Sequence, residues 1–241
     1  QLVTSSSDNT VRLWDTFTGE LLRTLIGHAY SVTSCAFSPN GKWLASASDD
    51  ETVRLWDTQI EPLVRPEGGH TDGVNGCAFS PDGAWFASAS DDESVLLWDA
   101  GSSAQLRALW HEGQVWDCAF SQDGAWIAST SGDGGVRLWD TRRGKLFRSL
   151  TERARSSSAF FTSCMFSPDG SLLAAASYDK TVWMWDVQTG TLLRRLVGHT
   201  DIVSSCAFST DGSSIASVSQ DGTLRLWEVD SGALLRILDG Q

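Results

Sequence analysis

A tryptophan returns six times in nearly the same setting. Arg12–Asp15 reads RLWD, followed by RLWD at Arg54–Asp57, LLWD at Leu96–Asp99 and RLWD at Arg137–Asp140. WMWD at Trp183–Asp186 and RLWE at Arg225–Glu228 complete the series. The tryptophans stand at 14, 56, 98, 139, 185 and 227, in steps of 42, 42, 41, 46 and 42 residues. A period of that size marks a chain built from one reused unit, which must stack on its neighbours to bury its apolar surface. Residues that recur with the period are candidates for structure. Function is sought where the copies differ.

The copy from Gly27 to Gly68 shows what the unit is. Ser31–Phe37 alternates toward an apolar run, and Ser38-Pro39-Asn40-Gly41 reads as a tight turn. Trp43–Ser48 is a second β-favouring run, closed by Asp49-Asp50-Glu51. In Thr52–Trp56, Val53 and Leu55 alternate with Arg54, and a weaker fourth strand is expected near Leu63–Arg65. Pro62 and Pro66 flank that fourth strand, as suits an outer edge where the missing N–H needs no ladder partner. The turns recur at Pro81-Asp82-Gly83, Gln122-Asp123-Gly124, Pro168-Asp169-Gly170 and Thr210-Asp211-Gly212. Four short antiparallel strands cannot cover both of their own faces, and a radial ring of such meanders limits exposed edges.

These residues resemble the WD40-repeat family over essentially the whole chain. Gly27-His28, Gly69-His70 and Gly198-His199 precede the first strand, Asp-containing turns such as Ser48-Asp49-Asp50 follow the second, and Trp-Asp pairs end the third. The resemblance implies an all-β fold, a β-propeller of four-stranded antiparallel blades. Six blades are detectable: a partial one at 1–26, then 27–68, 69–109, 110–150, 151–197 and 198–241. Aligning Trp14 with Trp56 sets Gln1 opposite Trp43, so the first copy lacks the counterpart of Gly27–Lys42, including the inner strand. A larger parent with seven or more blades is the preferred expectation. A closed six-bladed ring with one three-stranded blade is the alternative.

Polar residues also recur. His28, His70, His111 and His199 share one slot, with Ser46, Ser88, Ser129 and Ser217 eighteen residues on. Asp50, Asp92, Asp133 and Asp221 follow, then Trp56, Trp98, Trp139 and Trp227. A His, Ser and Asp set invites a catalytic reading, which must explain why a triad is built four times and ends each time on a tryptophan. The family resemblance implies a structural tetrad instead. A buried carboxylate is costly unless several donors reach it, and imidazole, hydroxyl and indole can supply them. In the fifth copy Ser157 and Ala175 replace His and Ser while Asp179 and Trp185 remain, which predicts a weaker network there.

Composition narrows the partner. The net charge of -12 excludes polyanion binding as a default, since nucleic-acid affinity rests mainly on Lys and Arg. No apolar run approaches the roughly 20 residues of a spanning helix, so no membrane role is expected. The chain begins at Gln1 without Met, which reads as a processed or excised piece. Cys35, Cys77, Cys118, Cys164 and Cys206 occupy one slot in five copies. A disulfide framework or metal site is one reading; small buried thiols in a reducing, intracellular compartment is the preferred one.

Three variable slots open toward the narrow face in WD40 propellers, where partner peptides bind. The first holds Tyr30, Asp72, Gly113, Ala159 and Asp201; the second Thr33, Asn75, Trp116, Thr162 and Ser204. The third holds Ser7, Asp49, Asp91, Gly132, Tyr178 and Gln220. Tyr30, Trp116 and Tyr178 are candidate aromatic anchors, and Asp49, Asp72, Asp91 and Asp201 a negative rim suited to an Arg- or Lys-bearing segment. A solvated acidic face with a few packed aromatics is the plainer alternative. Trp110 replaces the Gly before His111, and the insertion Thr151–Ser158, with Arg153 and Arg155, is read as a tolerated surface loop rather than a second contact site.

The expected function is a non-catalytic protein- or peptide-binding platform, a scaffold or sensor domain of a larger intracellular regulatory protein. No catalytic residue, metal or cofactor is expected. The rivals are an architectural array that self-associates through exposed blade edges, including the incomplete first one, and a propeller enzyme with a site in the central channel.

Overall fold

Residues 1–58, 69–151 and 160–239 are described by a computed structural model, and every regular element among them is a β-strand. Among the described residues no helix is long and apolar enough to cross a membrane. The expected strand near Leu63–Arg65 and most of the insertion, with Arg153, Arg155, Ser157 and Ala159, lie outside the described residues.

The strands form six antiparallel meanders, distributed over two compact units of residues 1–110 and 111–241. In the first unit, one sheet is β1 (Leu2–Ser5), β2 (Thr10–Trp14) and β3 (Leu21–Ile26). The second shows β4 (Val32–Phe37), β5 (Trp43–Ser48) and β6 (Val53–Asp57). The third is β7 (Val74–Phe79), β8 (Trp85–Ser90), β9 (Ser94–Asp99) and β10 (Gln105–Trp110). The second unit opens with β11 (Val115–Phe120), β12 (Trp126–Ser131), β13 (Val136–Asp140) and β14 (Lys145–Ser149). The fifth sheet is β15 (Phe161–Phe166), β16 (Leu172–Ser177), β17 (Thr181–Asp186) and β18 (Leu192–Val197). The sixth is β19 (Val203–Phe208), β20 (Ser214–Ser219), β21 (Thr223–Glu228) and β22 (Leu234–Asp239). The first sheet has three strands, as the missing inner-strand sequence implies.

The turn between first and second strands is a small polar device. Ser38 Oγ donates to Asn40 Oδ1 at 2.8 Å and accepts from the Trp43 amide at 2.9 Å. Ser80 with Asp82, Ser121 with Asp123, Ser167 with Asp169 and Ser209 with Asp211 repeat it. Each turn places glycine at positive φ, +68° at Gly41.

Within each unit neighbouring sheets share one core. Ala45, Ala47, Val53 and Leu55 of the second sheet pack with Val74, Cys77, Phe86, Leu96 and Trp98 of the third. Ala174, Ala176, Val182, Met184 and Leu196 of the fifth pack with Val203, Cys206, Ile215 and Trp227 of the sixth. Small residues on one face thus receive the large side chains of the next sheet. The simple alternation expected for Thr52–Trp56 does not hold: Val53, Arg54, Leu55 and Trp56 are all buried. A strand with a sheet on either side has no solvent face.

A second feature recurs six times in the sequence and in three copies ties neighbouring sheets together. Nine residues after each of the six repeated tryptophans stands an arginine, at 23, 65, 107, 148, 194 and 236. Arg148 of β14 donates to the carbonyls of Thr189 and, at 3.2 Å, Gln188 in the β17–β18 turn. Arg194 of β18 grips Asp230 and Ser231 in the β21–β22 turn in the same way. Arg23 of β3 reaches the Thr58 carbonyl at 3.5 Å. Arg148 lies so close over Gly190 that a Cβ there would stand 2.5 Å from its Cδ.

Gly170 and Gly190 share nearly the same φ, +73° and +74°, but nothing lies within 4 Å of a Cβ at Gly170. Gly170→Ala is expected to cost about 1–2 kcal/mol of backbone strain. Gly190→Ala is expected to cost more in urea denaturation, and the excess should vanish in an Arg148→Ala background.

Candidate functional site

The recurring polar residues meet as hydrogen-bonded chains between adjacent strands. In the second sheet Trp56 Nε1 donates to Ser46 Oγ at 2.8 Å, Ser46 lies 2.7 Å from His28 Nε2, and His28 Nδ1 lies 2.9 Å from Asp50 Oδ2. Trp98, Ser88, His70 and Asp92 are linked at 2.9, 2.7 and 2.8 Å. Trp227, Ser217, His199 and Asp221 are linked at 2.8, 2.8 and 2.9 Å. Since indole only donates and carboxylate only accepts, the serine proton goes to Nε2 and these histidines carry theirs on Nδ1.

Burial opposes ionisation of Asp50, but bonds from Thr52, the Ala29 amide and His28 outweigh it and hold its pKa at about 2. Asp92 is also held at about 2, with burial again opposing bonds from His70, Ser94 and the Thr71 amide. Burial lowers the pKa of His28, keeping the ring neutral against the pull of Asp50. The Thr52 and Ser94 hydroxyls, and Thr223 in the sixth sheet, donate to the same carboxylates at 2.5–2.6 Å. Sequence reasoning passed over this fifth member, although the Asp-x-Thr/Ser spacing repeats in plain view.

Two copies depart from the pattern. In the fourth sheet Trp139 and His111 both reach Ser129 at 2.8 Å, but His111 Nδ1 meets the Arg137 guanidinium instead of Asp133. Arg137 Nη2 in turn donates to Asp133 at 2.7 Å. The expected His111–Asp133 link is therefore replaced by an arginine bridge. The cause is local: Gly135 stands where the other copies have Thr or Ser, and a Cβ there would lie 2.6 Å from Asp133 Oδ1 and 2.9 Å from Arg137 Nη1. Arg137 uses the vacated room. As Arg137 can only donate, His111 accepts on Nδ1 and carries its proton on Nε2, the opposite tautomer. Burial first, then the Arg137 charge, lowers its pKa to about 3.

In the fifth sheet, Asp179 was expected to be short of donors. Thr181 gives it an amide and a hydroxyl bond, and Trp183 Nε1 donates to its Oδ2 at 2.9 Å. Trp183, in the slot of Arg54 and Arg225, supplies an indole donor that the sequence reading did not assign.

The variable slots converge at the ends of the sheets where first strands begin and second strands end. Backbone bonds join the third slot to the residue after the first: Asp49 N to Ser31 O, Asp91 N to Gly73 O and Tyr178 N to Phe160 O. The second slot is a bulge. Pairing slips between Val32 and Ser34, Val74 and Gly76, Val115 and Asp117, Phe161 and Ser163, and Val203 and Ser205. Thr33, Asn75, Trp116, Thr162 and Ser204 are the residues left unpaired, so their side chains are re-aimed.

Two groups result, one in each unit. In the second unit Trp116 and Tyr178 stand with ring centroids 5.7 Å apart, and Phe160 joins them at 6.1 and 6.2 Å. Tyr178 and Phe160 are exposed and Trp116 partly so. Gly132 makes room, as a Cβ there would lie 3.3 Å from Trp116. Phe160 was not among the expected anchors because the slot assigned to it ended one residue earlier. In the first unit Asp49 and Asp91 flank Gly73, with carboxylate oxygens 3.6 and 3.7 Å from where its Cβ would stand, and Asn75 donates to Asp91 at 2.7 Å. Tyr30 is exposed, and Asp72 caps the Gly73 amide at 2.8 Å. Asp201 caps the Ile202 amide at 2.8 Å at the start of the sixth sheet.

Beside Trp116, Asp117 breaks a slot held elsewhere by Ser34, Gly76, Ser163 and Ser205. The residue keeps some surface, but its carboxylate lies between buried Cys118 and Cys164 and accepts both their amides at 2.9 Å. Burial outweighs these two bonds and raises its pKa to about 7. The five cysteines are all free thiols, four of them buried, and burial pushes Cys206 up to about 12.

The repeated tetrads and blade-type meanders define the class, and comparison with known families agrees. The family model described as WD domain, G-beta repeat matches residues 1–15, 19–57, 62–99, 104–140, 145–186 and 190–228. These stretches make up most of the chain, which therefore belongs to the WD40-repeat family. Over 45 residues it is 51% identical to the nuclear distribution protein PAC1 of Mycosarcoma maydis, covering 19% of this chain and 10% of that protein. Over 44 residues it is 48% identical to the WD40 repeat-containing protein HOS15 of Arabidopsis thaliana, covering 18% of this chain and 7% of that protein. The matched stretch is thus about one repeat, a tenth or less of either relative.

Nitrogen NMR of the four imidazoles should show protonated Nδ1 in His28, His70 and His199 and protonated Nε2 in His111; Nδ1 protonation in His111 would refute the arginine bridge. A raised Asp117 pKa means the folded chain binds that proton more tightly than the unfolded one between pH 3.8 and about 7. Stability attributable to Asp117 is then fully present below about 4 and declines as pH rises through 7, by at most about 1.4 kcal/mol per pH unit. Asp117→Asn should flatten that slope in urea titrations taken across the range.

Proposed function

We propose that this chain is a non-catalytic binding module of a larger intracellular regulatory protein, and that it recognises a protein or peptide segment bearing Arg or Lys. The observation that carries the reading is the group formed by Trp116, Phe160 and Tyr178. Three aromatic side chains reach water together at a site created by a bulge, where packing demands would otherwise favour small or repeated residues. Aromatic faces of this kind anchor apolar side chains and attract cations. Within the second unit Asp201 adds a negative contact point, and in the first unit Asp49, Asp72 and Asp91, with exposed Tyr30, offer a group of the same sign. A net charge of -12 favours encounter with a basic segment.

The family supports an interaction role, and the names of the relatives, nuclear distribution protein and WD40 repeat-containing protein, fit an intracellular regulatory setting. The channel-enzyme reading has no comparable observation in its favour: each histidine is held in a chain that ends on a tryptophan.

The binding reading is tested by titrating a library of Arg- and Lys-bearing peptides while following tryptophan fluorescence. Trp116→Ala and Tyr178→Ala are each expected to weaken binding about 30-fold, the loss typical of a central aromatic anchor. Affinity should also fall as salt rises. Ligands retained at full affinity by both variants would exclude this patch.

A further inference from the structure

The first and second strands of the second unit are β11, β12, β15, β16, β19 and β20. Among these described residues Asp117 is alone in its charge: the six strands hold no other Asp, Glu, Lys, Arg or His. The titratable groups that face it, from its own strand and from β15 and β19, are the thiols of Cys118, Cys164 and Cys206. Burial foremost, then the Asp117 charge, raises Cys164 well above its ordinary value, and burial holds Cys206 at about 12. Neither thiol supplies a counter-charge.

In the other copies this slot holds Ser34, Gly76, Ser163 and Ser205, and its contacts are slight: Ser34 Oγ lies 3.8 Å from Cys77 Sγ. Asp117 instead gives one oxygen to each of two amides. Oδ1 accepts from Cys118, on the strand whose bulge aims Trp116, at 2.9 Å. Oδ2 accepts from Cys164 on β15, also at 2.9 Å. One carboxylate thus ties the strand bearing Trp116 to the sheet at whose end Phe160 and Tyr178 stand.

Both ties are strongest in the ionised form. A carboxylate has an acceptor oxygen for each amide, whereas a carboxylic acid spends one oxygen on a proton that an N–H cannot accept. Protonation therefore weakens one tie and loosens the placement of Trp116 against the other two rings. A cation seated on those rings acts in the opposite sense. With no other charge on these strands to offset it, its field favours the Asp117 carboxylate.

We propose that Asp117 is a positioning residue for the group of Trp116, Phe160 and Tyr178, and that a cationic ligand binds there with release of the Asp117 proton. The proposal rests on the reading of that group as a ligand site and adds its regulation by pH. Burial sets the free carboxyl at about 7, so the exchange falls in the neutral range. Ligand affinity is highest above that value. It declines as pH falls through it, by at most about tenfold per pH unit for one exchanged proton.

Calorimetry of the full 241-residue chain with an Arg-Gly-Arg-Gly-Lys peptide tests it, at about pH 8 and about pH 6 in buffers of different ionisation heat. Affinity should be about fivefold tighter at the higher pH, with net proton release near neutrality. Asp117→Asn, which like the acid keeps one good acceptor, should bind weakly and equally at both values, with no proton release. Asp117→Ser should do the same, and it is expected to fold because three other copies carry Ser in that slot. Binding that needs Trp116 but is equal at the two pH values overturns the coupling and leaves the site standing. So does a pH dependence kept by both Asp117 variants. Affinity unmoved by Trp116→Ala, or no binding at either pH, overturns the site reading and the coupling with it.

Discussion

The structure depends on a sheet that is apolar on both faces. A meander carrying Leu44, Ala45, Ala47 and Leu55 has no side it can turn to water, so each blade is stable only with neighbours. That constraint explains why the third strands lose the polar alternation of an open sheet. It also explains why a residue as polar as Arg54 is drawn into the interior, and why polar groups trapped there must find one another. Arg54 lies over Gly27, which has no side chain to obstruct it, and 3.8 Å from Asp50.

Seen this way, the tetrad is a consequence of burial before it is a family signature. The Asp50 and Asp92 carboxylates sit where water does not reach them freely, and they stay ionised because several donors surround them. What is required is the donor count, and its chemical identity can change. In the second, third and sixth sheets His and Thr or Ser provide the donors. In the fourth sheet Gly135 removes the hydroxyl and Arg137 bridges in its place, reversing the proton on His111. In the fifth, Trp183 stands in. Asp117 is the contrasting case: two amide bonds do not offset its burial, so it alone among these aspartates is shifted upward.

The same repeat places its variable residues where variation is cheap for the fold. A bulge in every first strand leaves one residue out of the ladder, and the sequences at that residue run from Thr33 to Trp116. Trp116, Tyr178 and Phe160 are gathered by two unrelated devices, the bulge and the backbone bond from Tyr178 N to Phe160 O. A periodic scaffold thereby holds a non-periodic surface without disturbing its own packing.

Much of this was legible in the chain alone. The 42-residue step, the tetrad slots, the three-stranded first sheet and the exposed positions of Tyr30 and Tyr178 follow from period and residue type, because they depend on local pattern repeated in register. The sixfold arginine nine residues after each repeated tryptophan was equally visible, but its meaning was not, since its acceptors are backbone carbonyls and carry no sequence signal. The arginine bridge at His111, the indole bond to Asp179 and the inclusion of Phe160 were settled by tertiary structure. Each depends on which side chain fills a space a few ångströms wide between elements distant in sequence. Periodicity determines which positions face one another; only packing decides which atoms there make the bond.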